Sequence, residues 1–373
     1  MRFSGQPPTL AYNAPQLIGQ FFADTHPLTI LLMKHSRFLA FIAPSLIVML
    51  LFIALPIGSV AYQSLFVEHE QVMVEVESCG PFGCDTELRI DTAAMQELKE
   101  AQPMGRFNGL GTYLNATHLA VHEVAAIWSE RESLGDALKG ITNLPFYKAL
   151  TFTLAYTFIV TPLCIVFGFI IAVCVNTIPG LLKGPVIFFS LLPMIVTPLI
   201  GALVLFWMID SRGVIGANLQ LLLNDPQLSL KGSPTLTWLT LFVYGVWHSI
   251  PFSFVVFYAG LQTVPQDTLE SSMVDGASRW QRIRYVVIPY LMPLAVFIAL
   301  MQLMDNFRVF EPIVGFSAAG NATSLSYQIY SDLRGSDTPL YGSAAATSML
   351  TIFGVVILLT PVLIRTWQDF SKK

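Results

Sequence analysis

Charged residues are scarce in this chain of 373 residues. Only 12% are Asp, Glu, Lys or Arg, and 54% are hydrophobic, whereas soluble domains carry about 25% charged residues. The mean hydropathy of +0.62 points the same way. These values exclude an ordinary soluble domain and predict an all-α polytopic membrane protein. The net charge of -4 is small, and there is no basic stripe, so we expect no nucleic-acid partner.

Cysteine is also rare, with four in the chain. Cys164 and Cys174 lie in an apolar run and are predicted to pack as small hydrophobic side chains. Cys79 and Cys84 lie in a polar segment, and two thiols are too few for a zinc site. A disulfide between them requires an oxidising compartment, so the bonded and the reduced pair both remain open.

The N-terminal residues lack the pattern of a signal peptide. Residues 1–26 are polar and contain proline, with no charged start that leads straight into an apolar core. We therefore expect the first membrane helix to act as an uncleaved anchor. The run LTILLM (Leu28 to Met33) is too short to span, and it predicts an interfacial helix within an N-terminal segment, 1–37.

Six apolar segments are long enough to cross a hydrocarbon core of about 30 Å, which needs about 20 helical residues. They lie at about 38–65, 148–176, 185–209, 236–261, 287–309 and 342–365. The connection 66–147 is too long to be a plain loop. Its alternating QVMVEVES and its helical stretches TAAMQELKEA and LAVHEVAAIWSERESL predict a small, partly helical insertion, which either contacts a partner or caps the bundle.

Positive charge predicts the orientation of the spans. Nine Lys and Arg residues near the span ends fall on one side of a six-span topology: Lys34, Arg37, Lys183, Arg279, Arg282, Arg284, Arg365, Lys372 and Lys373. Both termini, including a tail at 366–373, are then inside, and the insertion 66–147 is outside. The core at 148–365 holds the other five spans and an inside connection at 262–289.

This inside connection has the pattern of a helix, a turn and a second helix. Pro265 favours an extended approach, and Asp267 or Thr268 is predicted to cap the first helix. Apolar contacts at helical spacing are expected from Leu269, Met273 and Val274. Gly276 then permits the turn. From the residue types alone, a basic helix lying on anionic lipid is an alternative.

The stretch ESSMVDGA (Glu270 to Ala277), followed by VVIP ending at Pro289, resembles the EAA loop of ABC importer permeases, in the form found in the carbohydrate-uptake branch. Ser271 and Ser272 stand where that pattern has alanine. The resemblance covers about 38–370 and implies a six-helix, type I transmembrane domain with a small extracytoplasmic insertion. It also implies that the loop is a coupling helix that docks on an ATPase subunit, through Glu270, Met273, Asp275, Gly276 and Ala277.

Polar side chains within spans are costly and mark candidate solute contacts. They gather in the fourth and fifth predicted spans, and Gln302 in the fifth is among them. Resemblance to maltose-type permeases implies solute binding by Trp247, Ser249, Phe252, Asp305 and Asn306. The alternative is that Trp247 and Phe252 only pack, and that Asp305 pairs with Arg308 at i,i+3.

Two other stretches resemble functional motifs but do not match them. GFSAAGNA (Gly315 to Ala322) has the glycine spacing of a phosphate loop, but Asn321 stands where lysine is required. We therefore expect no nucleotide site or cofactor in this chain, which is not predicted to be an enzyme; ATP and Mg would bind a partner ATPase. HLAVHE (His118 to Glu123) does not have the order of a zinc protease motif, and we assign it to a solvated helix face.

The resemblance implies a permease subunit in a bacterial inner membrane that moves a sugar or oligosaccharide inward by alternating access. Implied partners are a second related permease, two ATPase subunits, a periplasmic solute-binding protein and membrane lipid. A permease for glycerol-phosphate or a polyamine is an alternative, and an ion-driven secondary transporter is another. A membrane-embedded enzyme is disfavoured because no nucleophile–base pair converges in the spans.

Overall fold

The computed structural model describes residue 38 and residues 40–80, 83–131, 133–334 and 339–371. The predicted interfacial helix within 1–37 and the side chains of Cys79 and Cys84 lie outside the described residues. The chain divides between Ser59 and Val60 into two units. Its elements are, in order, α1 (Ala40–Gln63), β1 (Phe66–Val67), β2 (Met73–Gly80), β3 (Gly83–Ile90), α2 (Thr92–Ala101), β4 (Arg106–Phe107), α3 (Gly111–Leu114), α4 (Val121–Ser129), α5 (Leu134–Asn143), α6 (Pro145–Thr177), α7 (Gly180–Ile195), α8 (Pro198–Met208), α9 (Val214–Leu223), α10 (Pro234–Leu261), α11 (Gln266–Val274), α12 (Arg279–Phe307), α13 (Glu311–Gly315), α14 (Leu325–Arg334) and α15 (Tyr341–Ser371).

Long apolar helices dominate the described residues, as predicted for an all-α membrane protein. Five of them, α1, α6, α10, α12 and α15, are long and apolar enough to cross a membrane. The pair α7 and α8 makes a sixth span if it is counted as one, although the two helices meet at an angle of 93°. A stretch of π-helix interrupts α1 at Leu50–Ala54 and α12 at Ile283–Val287.

The predicted third span, 185–209, is therefore broken. Thr197 has an extended backbone, with ψ of 142°, directly before Pro198, because the proline ring disfavours the helical conformation of the preceding residue. Carbonyl groups at the break accept hydrogen bonds from α10. Tyr244 Oη donates to the carbonyl oxygen of Pro198 at 2.6 Å, and His248 Nε2 donates to that of Val196 at 3.3 Å. These bonds satisfy backbone groups that lipid could not.

The core of the second unit is built on the contact of α6 with α10. A Cβ atom added to Gly168 would lie 2.5 Å from the Cβ of Ser253, so the two backbones approach closely only because position 168 has no side chain. Gly245 makes the same kind of contact with the Tyr156 hydroxyl. Nearer the other end of the contact, the ring of Phe152 packs edge-on against Trp238 at 5.1 Å. Small residues are the usual means of close helix packing in membranes.

The insertion between α1 and α6 combines strands with short helices, as predicted. Strands β2 and β3 form an antiparallel hairpin in which Cys79 lies opposite Cys84 in the backbone register, and β1 pairs with β4. The expected helix TAAMQELKEA is α2, capped by the Asp91 side chain. The helix expected over LAVHEVAAIWSERESL is shorter, because α4 ends at Ser129.

The assignment of His118 to a solvated helix face is wrong. His118 precedes α4 and is only 1% exposed. Its Nε2 lies 3.1 Å from the carbonyl oxygen of Ser343, at the start of α15. Glu68 accepts a hydrogen bond from the backbone N–H of Gly342 at 2.8 Å. Polar contacts thus fasten the insertion to the first turn of α15.

Asp332 on α14 completes this cluster, and we expect it to make stability depend on pH. Burial raises the pKa of Asp332 above the ordinary value of 3.8, although the hydrogen bond from Ser343 Oγ, at 2.8 Å, opposes the shift. A carboxyl group with a raised pKa favours folding most when it is protonated, so its contribution falls as pH rises from 3.8 through the raised pKa. Asp332→Asn should remove that decline.

The measurement is the thermal unfolding midpoint of the purified chain over this pH range, for wild type, Asp332→Asn and Ser343→Ala. Because other carboxylates titrate too, the difference between wild type and variant isolates Asp332. Ser343→Ala removes a bond that lowers this pKa, so it should steepen the decline. Identical pH profiles for wild type and Asp332→Asn would contradict the argument.

Candidate functional site

A polar network joins three membrane helices of the second unit. Gln302 Nε2 on α12 donates to the carbonyl oxygen of Ser249 on α10 at 3.1 Å. Asn306 Nδ2 donates to Thr161 Oγ1 on α6 at 2.9 Å and lies 3.4 Å from Gln302 Oε1. The side chains of Thr161, Gln302 and Asn306 are almost fully buried. Sequence reasoning identified Gln302 and Asn306 but missed Thr161, whose signal is a hydroxyl directly before Pro162 in an apolar helix.

The five residues implied as solute contacts differ in their exposure and in the groups that they contact. Asn306 lies inside the helix bundle, whereas the neighbouring Asp305 side chain is 77% exposed and lies 3.5 Å from Arg308. Ser249 takes part in the network through its backbone. The set therefore remains a prediction.

Trp247 and Phe252 lie on α10 and contact other rings. The Trp247 ring centroid is 6.0 Å from that of Tyr244, and the Phe252 centroid is 6.4 Å from that of Phe297 on α12. Trp247 is nevertheless 44% exposed. The indole of Trp247 can thus pack against Tyr244 and still leave part of its surface free to contact a solute.

The connection between α10 and α12 forms the predicted helix, turn and helix. The capping prediction is wrong: Pro265 occupies the N-cap of α11, and no side chain caps it, because Asp267 and Thr268 already lie within the first turn. Gly276 has a φ of +79°, a backbone conformation that L residues with a side chain rarely adopt. The space where a Cβ atom would lie is open, so the backbone angle favours glycine here. Ser278 and Gln281 then form a capping box at the start of α12.

One face of α11 is fixed and the other is free. Leu269 packs against the apolar cluster that includes Phe257 and Leu291. Tyr290 Oη donates to the carbonyl oxygen of Thr263 at 2.8 Å, which ties α12 to the residues before α11. This short helix is thereby held against both neighbouring spans.

The predicted coupling residues lie mostly on the free face. Glu270, Asp275 and Gly276 are exposed and Ala277 is half-buried. Met273 is 49% exposed and Val274 87% exposed, so the apolar contacts expected of these two would be made with another protein and stay a prediction. An exposed set of two carboxylates and two apolar side chains can form both charged and apolar contacts with another protein.

A metal centre finds no support in the part of the chain that the structure describes. Within those ranges, no group of three or more His, Cys, Asp or Glu residues could hold a metal ion.

Removing the Thr161 hydroxyl tests the polar network. We expect Thr161→Val to destabilise the chain by about 1–3 kcal/mol, because the buried Asn306 amide loses its acceptor on α6. Thr157→Val is the matched control: Thr157 is also buried on α6, but its hydroxyl bonds only to Thr153 of the same helix. Denaturation in detergent measures the free energy of unfolding of both variants. An equal loss of stability in the two would show that the hydrogen bond between helices contributes no more than the bond within α6.

Comparison with known proteins agrees with this geometry. The family described as "Binding-protein-dependent transport system inner membrane component" matches residues 164–371. The trehalose/maltose transport system permease protein MalF of Thermococcus litoralis is 27% identical over 254 residues, which cover 66% of this chain and 84% of that protein. A Bacillus subtilis protein named "Probable ABC transporter permease protein YesP" is 30% identical over 237 residues, which cover 61% of this chain and 75% of that protein.

The fold has a solved counterpart. A crystal structure of a bacterial ABC transporter involved in the import of the acidic polysaccharide alginate aligns with a TM-score of 0.58 at 19% identity, covering 93% of this chain and 99% of that one. The predicted fold class, an ABC importer transmembrane domain, is confirmed. Since the family match extends over more than half of the residues, the chain is a membrane-spanning transport subunit that belongs to the family of inner membrane components of binding-protein-dependent transport systems.

Proposed function

We propose that this subunit moves a sugar or oligosaccharide inward, in a complex driven by ATP hydrolysis on partner subunits. The observation that carries the proposal is α11, an exposed short helix fixed between two membrane helices. Relatives named for trehalose/maltose transport and a structural counterpart involved in alginate import support a carbohydrate solute. The resemblance to importer permeases also supports a second related permease in the complex.

The fixed mounting of α11 suits it to transmit force. Leu269 connects it to a cluster that contains residues of α6, α10 and α12, so a push on α11 reaches all three helices as a rigid-body displacement. Glu270 and Asp275 offer charge-assisted hydrogen bonds to cationic side chains of an ATPase subunit. Met273 and Val274 supply apolar contact area on the same surface.

Positive charge supports an orientation in which this loop and both termini are cytoplasmic. The insertion is then periplasmic, on the side where a solute-binding protein delivers its ligand. ATP and Mg are handled by the two ATPase subunits. Alternating access follows when closure of the ATPase dimer displaces α11 and opens the bundle outward.

The solute contacts proposed for this chain remain Trp247, Ser249, Phe252, Asp305 and Asn306. Trp247 presents an exposed aromatic face, on which a sugar ring can stack. Asp305 offers an exposed carboxylate to hydroxyl groups. Asn306 would contact the solute once the inward–outward transition releases its bond to Thr161.

Truncating Glu270 tests coupling. In the reconstituted complex, Glu270→Ala should reduce solute-stimulated ATPase activity and uptake at least tenfold, because a charge-assisted hydrogen bond to the ATPase contributes about 1.5–3 kcal/mol. Gln266→Ala, an exposed position on the same helix, should leave both rates unchanged. The complex must still assemble, as size-exclusion chromatography would show. Uptake that persists without any ATPase subunit would refute the importer and favour an ion-driven transporter.

Removing the Trp247 ring tests the solute class. Uptake is measured over a panel of sugars, glycerol-phosphate and polyamines. Trp247→Ala should raise the KM for the transported sugar about five- to thirty-fold, as expected for the loss of 1–2 kcal/mol of binding. Val243→Ala, one helical turn away and 62% exposed, should not. If the complex transports only glycerol-phosphate or only polyamines, the assignment of a carbohydrate solute is wrong.

A further inference from the structure

A cleft opens where the ends of α6 and α10 meet α11 and the start of α12. Its volume is about 400 Å³. Two arginines, Arg279 and Arg282, line it together with the polar ends of Asn176 and Thr177, and apolar side chains such as Leu261 form the rest of the wall. The cleft thus combines concentrated positive charge with an apolar surface.

Arg282 has a hydrogen-bond donor that its surroundings in the cleft leave unsatisfied. Its Nε atom is buried, and within the described part of the chain it finds no hydrogen-bond acceptor. No carboxylate among the described residues forms an ion pair with Arg279 or Arg282 either. A buried cationic donor without an acceptor is unfavourable. An anion bound in the cleft would accept this hydrogen bond and so stabilise the folded chain.

The neighbouring donors are oriented to assist. Asn176 Oδ1 accepts a hydrogen bond from Gln262 Nε2 at 3.0 Å. This bond fixes the amide, and its own N–H groups remain as donors at the rim of the cleft. The guanidinium fork of arginine matches the oxygens of phosphate, which makes a phosphate group the best complement to this arrangement.

Aromatic residues place the cleft at the level of lipid headgroups. On α12, Trp280 lies between the two arginines and Tyr285 follows them, and these rings are 69% and 70% exposed, the pattern of an interfacial aromatic belt. Basic pockets between membrane helices on the cytoplasmic side are suited to lipid phosphates.

We propose that this cleft binds a phosphate group, supplied by the headgroup of an anionic phospholipid. Arg279 and Arg282 hold the phosphate oxygens, and Leu261, Ile283 and Val287 contact the glycerol and the first methylene groups. The bound lipid would fasten the base of α11 to its two spans. Solute identity and ATPase docking play no part here, and only the cytoplasmic orientation of this loop is shared with the proposed function.

The test uses the purified full-length chain in a neutral detergent. Thermal unfolding is followed while phosphatidylglycerol, phosphatidylcholine or inorganic phosphate is titrated. Phosphatidylglycerol should raise the unfolding midpoint, and phosphatidylcholine should not. Arg282→Gln should weaken the apparent affinity for phosphatidylglycerol about tenfold or more, since it removes a charge-assisted contact. Arg284→Gln is the matched control, because Arg284 has the same charge on the same helix but does not line the cleft.

Further variants keep the test decisive. Arg282→Lys preserves charge but loses the fork, so its affinity should fall between wild type and Arg282→Gln. If Arg282→Gln does not fold, the exposed Arg279→Gln replaces it. Stabilisation by inorganic phosphate that competes with phosphatidylglycerol would support the site and identify the phosphate, rather than the acyl chains, as the main determinant. Equal losses in Arg282→Gln and Arg284→Gln, or equal stabilisation by both lipids, would overturn the proposal.

Discussion

The close contact between α6 and α10 positions the other membrane helices of the second unit. Lipid provides no hydrophobic driving force for helix association, so the pair depends on tight van der Waals packing at small residues such as Gly168 and Ser253. Once the two helices are in register, α10 presents Tyr244 and His248 to the break between α7 and α8. The same register brings Thr161 of α6 and the Ser249 carbonyl of α10 to the amides of α12.

This arrangement holds the same three helices together at two places. The network of Thr161, Gln302 and Asn306 resists relative sliding of α6, α10 and α12, because separation would leave buried polar groups without partners. At one end of the same three helices, α11 is held through the apolar side chain of Leu269. The hydrogen bond from Tyr290 to the carbonyl oxygen of Thr263 adds a second contact, just before α11. Under the proposed coupling role, force applied to α11 would reach the bundle while the network keeps its members together.

The sequence predicted the features that depend on long patterns. Apolar runs of 20 or more residues located the spans, and the glycine after α11 located the turn, because both signals are nearly independent of tertiary contacts. The break at Thr197 was not predicted, since a proline within a membrane helix is often tolerated as a kink and only the partners on α10 decide the outcome. His118 was misjudged for a related reason: its burial depends on Ser343, more than 200 residues away along the chain.

Neighbouring residues at the end of α12 show what could not be predicted from the sequence about the candidate site. Asp305 and Asn306 are adjacent in sequence and chemically similar, yet helical geometry turns one outward and the other toward Thr161. Likewise, Arg279, Arg282 and Arg284 are equivalent by charge, and only the fold determines that two of them line a cleft with the end of α6. The residue types indicated function in each case, but their division into structural and ligand-facing roles required the packing.

The sharp break after α7 also has a consequence for the surrounding bilayer. With 16 residues, α7 is about 24 Å long, which is shorter than the hydrocarbon thickness of about 30 Å. Because α8 meets α7 at 93°, the pair is shorter from end to end than one straight helix of the same residues, and we expect a hydrophobic mismatch beside it. A bilayer accommodates such a mismatch by thinning locally, at a modest free-energy cost that grows with membrane thickness. We therefore expect a thicker host membrane to favour a transport conformation in which the two helices are closer to collinear.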